Sequence, residues 1–338
     1  DLIWNTIGAR QRLNAQIVDE LVTDSVEAIK AAVIAAINEK KDSHRSENAD
    51  FYLSLLAKLD LSKPMAIDAY NQALAAHKSA AVKEINVTEG TEDAATSVGY
   101  DWFAALTGLK HPTSTSATVY AAASNLFNED AVVTAIVPNA QNPMYRVRNG
   151  EVGLIEGFEM AHVLETVYQE DKEKAVKRPV VVVIDVPSQA YGYNEELIGI
   201  HVALANSAAA YAKLRQAGHP VIGFIAGNAI SGAFLAHGLQ SSRLIALNSS
   251  NITVQAMSKE SASRVTKRSI AAIEAAAEKV PSIAYDIKNY TKLGAIFTFL
   301  ESITDQKTSA DHVNAVIDAI NAAILDVRQT NDAMLTNR

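Results

Sequence analysis

Two short segments carry most of the chemistry that the residue types allow. Pro187-Ser188-Gln189-Ala190-Tyr191-Gly192 and Gly227-Asn228-Ala229-Ile230-Ser231-Gly232-Ala233 each follow a branched apolar run and lead into a helical pattern. In α/β folds ligands settle where strand ends meet helix starts, because first-turn amides there have no intrahelical acceptor. The amides of Ala229 and Ile230 would then form an oxyanion hole, two donors aimed at one point. Losing one such donor typically costs about 10²–10³ in rate. Gly227 and Gly232 would set the turn. A plainer reading is that these glycines only let helix and sheet pack closely.

Ser231 invites a sharper idea. Strand, turn, serine and helix follow the order of a nucleophile elbow, but the flanks of G-x-S-x-G are Ala229 and Ala233 here. Downstream, His237 lies six residues along the same helix and faces away, leaving His312. A serine hydrolase is therefore the weaker reading. The eight histidines give no H-E-x-x-H and no pair four apart, so no metal centre is expected. His162, His201 and His237 sit in apolar helical patterns and read as core residues. Arg146 and Arg148, before Gly150-Glu151, could grip a carboxylate or phosphate, although a surface role is the simpler reading. Lys172, Lys174, Lys177 and Arg178, interleaved with Glu170, Asp171 and Glu173, read as a solvated helix end. Tyr285-Asp286 and Lys288-Asn289-Tyr290 could line a cleft.

The elements that must position these residues follow from periodicity. Residues 1–84 read as mostly helical, with a short strand at Leu2-Ile3-Trp4. From Asp19, Leu21, Val22, Val26, Ile29, Val33, Ile34 and Ile37 form one apolar helical stripe. A helix follows on Phe51, Leu55, Leu56 and Leu59, and another after Pro64. Residues 85–98 are polar and aperiodic and read as a linker. Beyond it, strands are expected at Ser116–Ala122, Ala131–Pro138, Val180–Val186, Val221–Ala226, Arg243–Leu247 and Ile252–Gln255. Helices are expected at Gly153–Lys174, Glu195–Arg215, from Ser231, at Ser258–Arg268, at Ser269–Glu278 and from Ala310. This alternation implies an α/β domain over 99–305 with a mostly parallel sheet, and a closing helix over 306–338.

Composition narrows the function. With 30 Lys and Arg against 38 Asp and Glu in 338 residues, the net charge is −8 and spread along the chain. No basic face for nucleic acid or anionic lipid is expected. No apolar run reaches the roughly 18–20 residues of a membrane span. The absence of cysteine removes disulfides, thiolate metal sites and a Cys nucleophile. Asn86-Val87-Thr88 fits a glycosylation sequon without other signs of secretion. The chain reads as soluble and cytoplasmic, and its start at Asp1 without Met suggests a piece of a longer product.

RNGEVGLIEGFEMAH (148–162), VIDVPSQAYGYNEELIGIHVALA (183–205), GHPVIGFIAGNAISGAFLAHG (218–238), and RVTKRS with VPSIAYDIKNYTKLG (264–294) resemble the γ subunit of malonate decarboxylase over roughly 99–305. DVPSQAYG followed by GNAISGA is similar, more distantly, to the D-T-P-G-A-Y-P-G and G-E-G-G-S-G-G-A patterns of acyl-CoA carboxyltransferases in the crotonase superfamily. LIWNTIGARQRL through Ile37 resembles the C-terminal end of the same enzyme's β subunit, which suggests a β–γ fusion.

The resemblance implies a crotonase-like spiral of ββα units whose β and γ halves form the active site between them. The implied substrate is a malonyl thioester on an acyl carrier protein, decarboxylated to the acetyl thioester. The thiol would belong to the carrier's phosphoribosyl-dephospho-CoA arm, with no cofactor bound directly by this chain. Loss of CO₂ leaves an enolate, which needs donors and shielding from water rather than a metal or nucleophile. Ala229, Ile230 and Gly232, with Ser188 and Gln189, would be catalytic. Gly227, Ser231, Ala190, Tyr191 and Gly192 would bind substrate. Ala229-Ile230 replaces Gly-Gly of the carboxyltransferases, and a bulkier wall there would exclude biotin. The alternatives are a carboxyltransferase of a biotin-dependent system and a passive partner of the β subunit.

Overall fold

Val180–Val186, seven residues with Asp185 as the sole polar one, forms the buried centre of the molecule. The computed structural model describes residues 2–15, 17–39, 49–79, 97–109 and 116–330. Seven strands make one sheet: β1 (Val119–Ser124), β2 (Ala131–Ile136), β3 (Val180–Val186), β4 (Val221–Ile230), β5 (Arg243–Leu247), β6 (Val254–Gln255) and β7 (Thr298–Leu300). Their order is β1-β2-β3-β4-β5-β7, with β6 paired to the far end of β4. β1 and β2 form an antiparallel hairpin, and every other pairing is parallel. β2 to β5 are almost wholly buried, as expected of strands covered on both faces.

Helices Leu154–Asp171 and Ile200–Gln216 link β2 to β3 and β3 to β4. The expected Glu195–Arg215 helix is two, Tyr193–Ile198 and Ile200–Gln216, broken at Gly199 with φ 114°. A helix over Val98–Thr107, capped by Ser97, had no expectation in the periodicity. It carries Trp102, Phe103 and Leu106, each fully buried. Of the 85–98 linker only Ser97 and Val98 fall within the described residues, and the Asn86 sequon lies outside them.

The described elements of the N-terminal region are all helices, including Leu2–Ile7, where a strand was expected. Pro64 does not open the next helix, which runs over Ile67–Lys78 from an N-cap at Ala66. Ala49–Leu56 lies on Leu154–Asp171, with the Tyr52 and Phe158 rings stacked at 4.6 Å. Tyr52, Leu55, Leu56, Leu61, Tyr70 and Leu74 join the same buried cluster as the sheet. The Asn194 amide group ties the two regions: Oδ1 accepts from the Met65 amide, and Nδ2 donates to the carbonyls of Leu61 and Lys63. The expected apolar stripe behaves differently. Its helix starts only at Val26, capped by Ser25, and none of its residues through Asn38 is buried.

At the other end, helix Ala310–Thr330 is pinned by the buried Arg243, which donates to Asp326 at 2.6 Å and Thr330 at 3.1 Å. The basic run after Leu154–Asp171 is a knot rather than a solvated end. The fully buried Asp171 carboxylate accepts from Lys174 and Arg178, and Lys177 donates to three helix-end carbonyls.

Candidate active site

β4 continues four residues beyond the expected end at Ala226, and this extension rearranges the site. Gly227 and Asn228 read as turn formers, yet they stay in the strand because the Asp185 carboxylate fills an irregularity in the β3–β4 ladder. Asp185 accepts the Asn228 amide at 3.0 Å and the Gly99 amide at 3.1 Å. Burial pushes its carboxyl above the usual range, against the pull of these two donors. A Cβ at Gly227 would lie 2.1 Å from Asp185 Oδ1, so this glycine makes room for the carboxylate rather than for substrate.

The paired oxyanion hole expected at Ala229 and Ile230 is therefore corrected at Ala229. The Ala229 amide donates to the Thr253 carbonyl at 2.8 Å, which removes one of the two donors, and Ile230 continues the strand beside Gln255. Ile230 also buries its side chain with Ala262, Ile273 and Tyr285. Its bulk is absorbed there, so it raises no wall against a biotin ring. Helix Ser231–Ala233 starts at Ser231 as expected and continues as a wider turn through Phe234–Gly238. The amides that open it are those of Gly232 and Ala233, which by position lack intrahelical acceptors.

The two loops do meet. The Tyr191 and Ser231 hydroxyl oxygens lie 2.7 Å apart. Gly232 faces the Gln189 side chain so closely that a Cβ there would come 2.0 Å from Oε1. Val152 pins the first loop from below: its amide donates to the Ser188 carbonyl, and its carbonyl accepts from Ala190. Ala190 is thus a buried scaffold residue. Gly192 caps the Tyr193–Ile198 helix, its backbone packed on the Glu195 carboxylate. Ser188 and Gln189 are half-buried at the crossing.

Ser231 is 2% exposed with φ 68°, a left-handed backbone of the kind that holds a nucleophile elbow. Among the described residues no base is bonded to it as to a nucleophile: His237 turns into the core, where Nδ1 meets the Tyr211 hydroxyl at 2.9 Å. Burial drives His237 down to about 4. His162 instead pairs with Asp50 at 2.6 Å, and His201 lies on an exposed position, so neither is a core histidine.

Beside Tyr191 lies a cavity of about 550 Å³, walled by Tyr145, Arg146, Arg148, Tyr191, Tyr193 and Glu195. Its far rim, Leu61 to Pro64, comes from the N-terminal region. Arg146 already grips a carboxylate, Glu151, through Nε at 2.5 Å and Nη2 at 2.9 Å. Its guanidinium also lies 5.6 Å from the Tyr191 ring centroid. Arg148 donates to the Asn142 carbonyl. Burial raises the Glu195 carboxyl against the pull of Arg146. In the Tyr285–Tyr290 segment, Asp286 caps the Ile287–Thr291 helix, and Tyr290 meets Phe234 edge-on.

Sequence reasoning missed Asp185 and Val152. A lone carboxylate closing an otherwise apolar strand was the available signal for Asp185. Nothing in the spacing pointed to Val152, whereas Arg146 was expected to grip a carboxylate and the one it holds is its neighbour Glu151. Among the described residues, no three His, Asp or Glu side chains converge on a metal site, and no helix is long and apolar enough to cross a membrane.

Fold and loop crossing together define a crotonase-like α/β domain of the carboxyltransferase type. The transcarboxylase 12S hexamer core, solved with methylmalonyl-coenzyme A and methylmalonic acid bound, shares this fold at TM-score 0.50 and 18% identity, over 76% of this chain and 51% of that one. The malonate decarboxylase gamma subunit family model matches residues 147–338, and the chain belongs to that family. It is 43% identical to a chain of a Pseudomonas malonate decarboxylase hetero-tetramer in complex with coenzyme A, at TM-score 0.67, over 69% of this chain and 89% of that chain. A chain of the Pseudomonas MdcD-MdcE hetero-dimer matches at 42% identity and TM-score 0.65, over 69% and 90%. The malonyl-S-ACP:biotin-protein carboxyltransferase MADD of Malonomonas rubra is 32% identical over 185 residues, 54% of this chain and 63% of that protein. The chain thus spans less than two thirds of that curated relative.

Proposed function

We propose that this chain acts with a β-subunit partner to decarboxylate a malonyl thioester presented by an acyl carrier protein, leaving the acetyl thioester. The observation that carries the reading is the crossing itself: Gly232 against Gln189, and Tyr191 against Ser231, at the edge of a cavity. Decarboxylation places negative charge on the thioester oxygen as the enolate forms, and fixed donors at that oxygen lower the barrier. The Gly232 amide takes the role first expected of Ala229 and Ile230, with Gln189 and Ser188 orienting the thioester or its carboxylate end. The β partner closes the crevice and excludes water.

The carrier's phosphoribosyl-dephospho-CoA arm supplies the thiol that bears the malonyl group. A phosphate-bearing arm fits the cavity's chemistry, since Lys63 and Arg148 stand on its wall among three tyrosines. A second reading, carboxyl transfer to biotin, is favoured by the likeness to the Malonomonas rubra carboxyltransferase. The test is CO₂ release from malonyl-S-acyl carrier protein by the complex, with and without a biotinylated acceptor. Release independent of the acceptor supports direct decarboxylation. Acetyl thioester formed only with the acceptor, with the carboxyl recovered on its biotin and not as free CO₂, establishes transfer, and no reaction in either case overturns both.

A further inference from the structure

Loss of CO₂ leaves a carbanion that must gain one proton, and the loop crossing holds one acid suited to give it. We infer that Tyr191 is the catalytic acid that protonates this carbon, with Ser231 as its positioning residue; the inference rests on the decarboxylase reading. Tyr191 is 44% exposed and stands on the cavity wall, whereas its hydrogen-bond partner Ser231 is 2% exposed. The left-handed backbone of Ser231, φ 68°, fixes its Oγ at 2.7 Å from the phenolic oxygen. A non-glycine residue held there is strained, and such strain persists only where the surroundings enforce it. Either hydroxyl can donate across this contact, and the acid role uses the arrangement in which Ser231 donates to the phenolic oxygen and the phenol O–H is left for the substrate.

Among the other ionisable groups here, the Glu195 carboxylate is packed on the Gly192 backbone, Glu151 is held by both Nε and Nη2 of Arg146, and Lys63 lies 3.6 Å from Asp60. Tyr145 and Tyr193 line the same cavity, and Tyr191 differs from them in the contact of its hydroxyl with Ser231. In the step, the C–CO₂ bond breaks and its electron pair passes through the enolate. The α-carbon then takes the Tyr191 proton to give the acetyl thioester. The phenolate left behind is stabilised by the Ser231 hydroxyl and by the Arg146 guanidinium over the ring, 5.6 Å from its centroid. Water at the open side of the cavity returns the proton.

The experiment measures kcat and KM for CO₂ release by the complex with its β partner, using malonyl-S-acyl carrier protein. General acids contribute about 10²–10⁴-fold, so Tyr191→Phe is expected to lower kcat at least about 10²-fold while KM changes less than about threefold. Ser231→Ala lowers kcat about tenfold and leaves KM within about threefold, the split expected when the acid is misplaced and substrate binding is intact. Tyr191→Phe preserves the ring and its packing, and circular dichroism verifies the fold. If the wild-type complex releases CO₂ and Tyr191→Phe matches it within about threefold, the role of Tyr191 is overturned alone. A wild-type complex that releases none overturns the decarboxylase reading and this role with it.

Discussion

At the scale of single residues, two carboxylates are raised by burial against the donors that hold them. Asp185 replaces a strand carbonyl, and the space for it exists because residue 227 has no side chain. Gly227→Ala is expected to destabilise the chain by about 1–3 kcal/mol in urea unfolding, the usual cost of overpacking. An unchanged midpoint would show that Asp185 can move aside without loss. Glu156 is fully buried, and burial lifts its carboxyl to about 7 against the bonds from the Thr118 hydroxyl and the Gly153 amide. A raised folded-state value favours the protonated form. Stability is then complete in acid and falls as pH rises through about 7, at up to about 1.4 kcal/mol per pH unit. Glu156→Gln is expected to flatten this slope, measured as the urea midpoint between pH 5 and 8. An identical slope in both proteins would contradict the assignment.

At the scale of elements, the end of Leu154–Asp171 carries the opposite sign. Asp171 is buried, yet bonds from Arg178 and Lys174 outweigh that burial and hold its carboxyl far below the usual range. A depressed value stabilises the fold above the ordinary carboxylate range, and the contribution disappears as pH falls. Asp171→Asn leaves Arg178 without its buried partner and is expected to cost about 3 kcal/mol at neutral pH. That difference should shrink in acid, where the wild type loses the same bonds; a pH-independent difference would contradict the account. Helix Val26–Asn38 tests the converse. Its apolar residues are exposed, Val33 at 52% and Ile37 at 73%. Val33→Lys and Ile37→Lys should each shift stability of the isolated chain by no more than about 0.5 kcal/mol.

For the whole molecule, the parallel sheet was legible because Val180–Val186 and Val221–Ile230 are long runs buried on both faces. The periodicity of β2, β5 and the two crossover helices was equally plain. What sequence could not show is where β4 ends. Gly227 and Asn228 signal a turn locally, and a carboxylate from the neighbouring strand overrides that signal. This single tertiary effect moved the candidate donors from Ala229 and Ile230 to Gly232. The meeting of the loops at Tyr191 and Ser231 was implied by strand order, but their hydroxyl contact was not. The stripe read from Leu21 to Ile37 is helical only from Val26, and its apolar residues are not buried among the described residues. The N-terminal rim of the cavity had no signal at all, since it arises from packing between segments more than 80 residues apart.

Gly232 puts the central claim at most direct risk. A side chain there must displace Gln189 and with it the donor beside the crossing, while the fold elsewhere is untouched. In the complex with its β partner, Gly232→Val should retain circular dichroism and carrier binding but lose about 10²–10³-fold in kcat for CO₂ release. A folded Gly232→Val complex that turns over malonyl-S-acyl carrier protein at the wild-type rate would place the chemistry elsewhere.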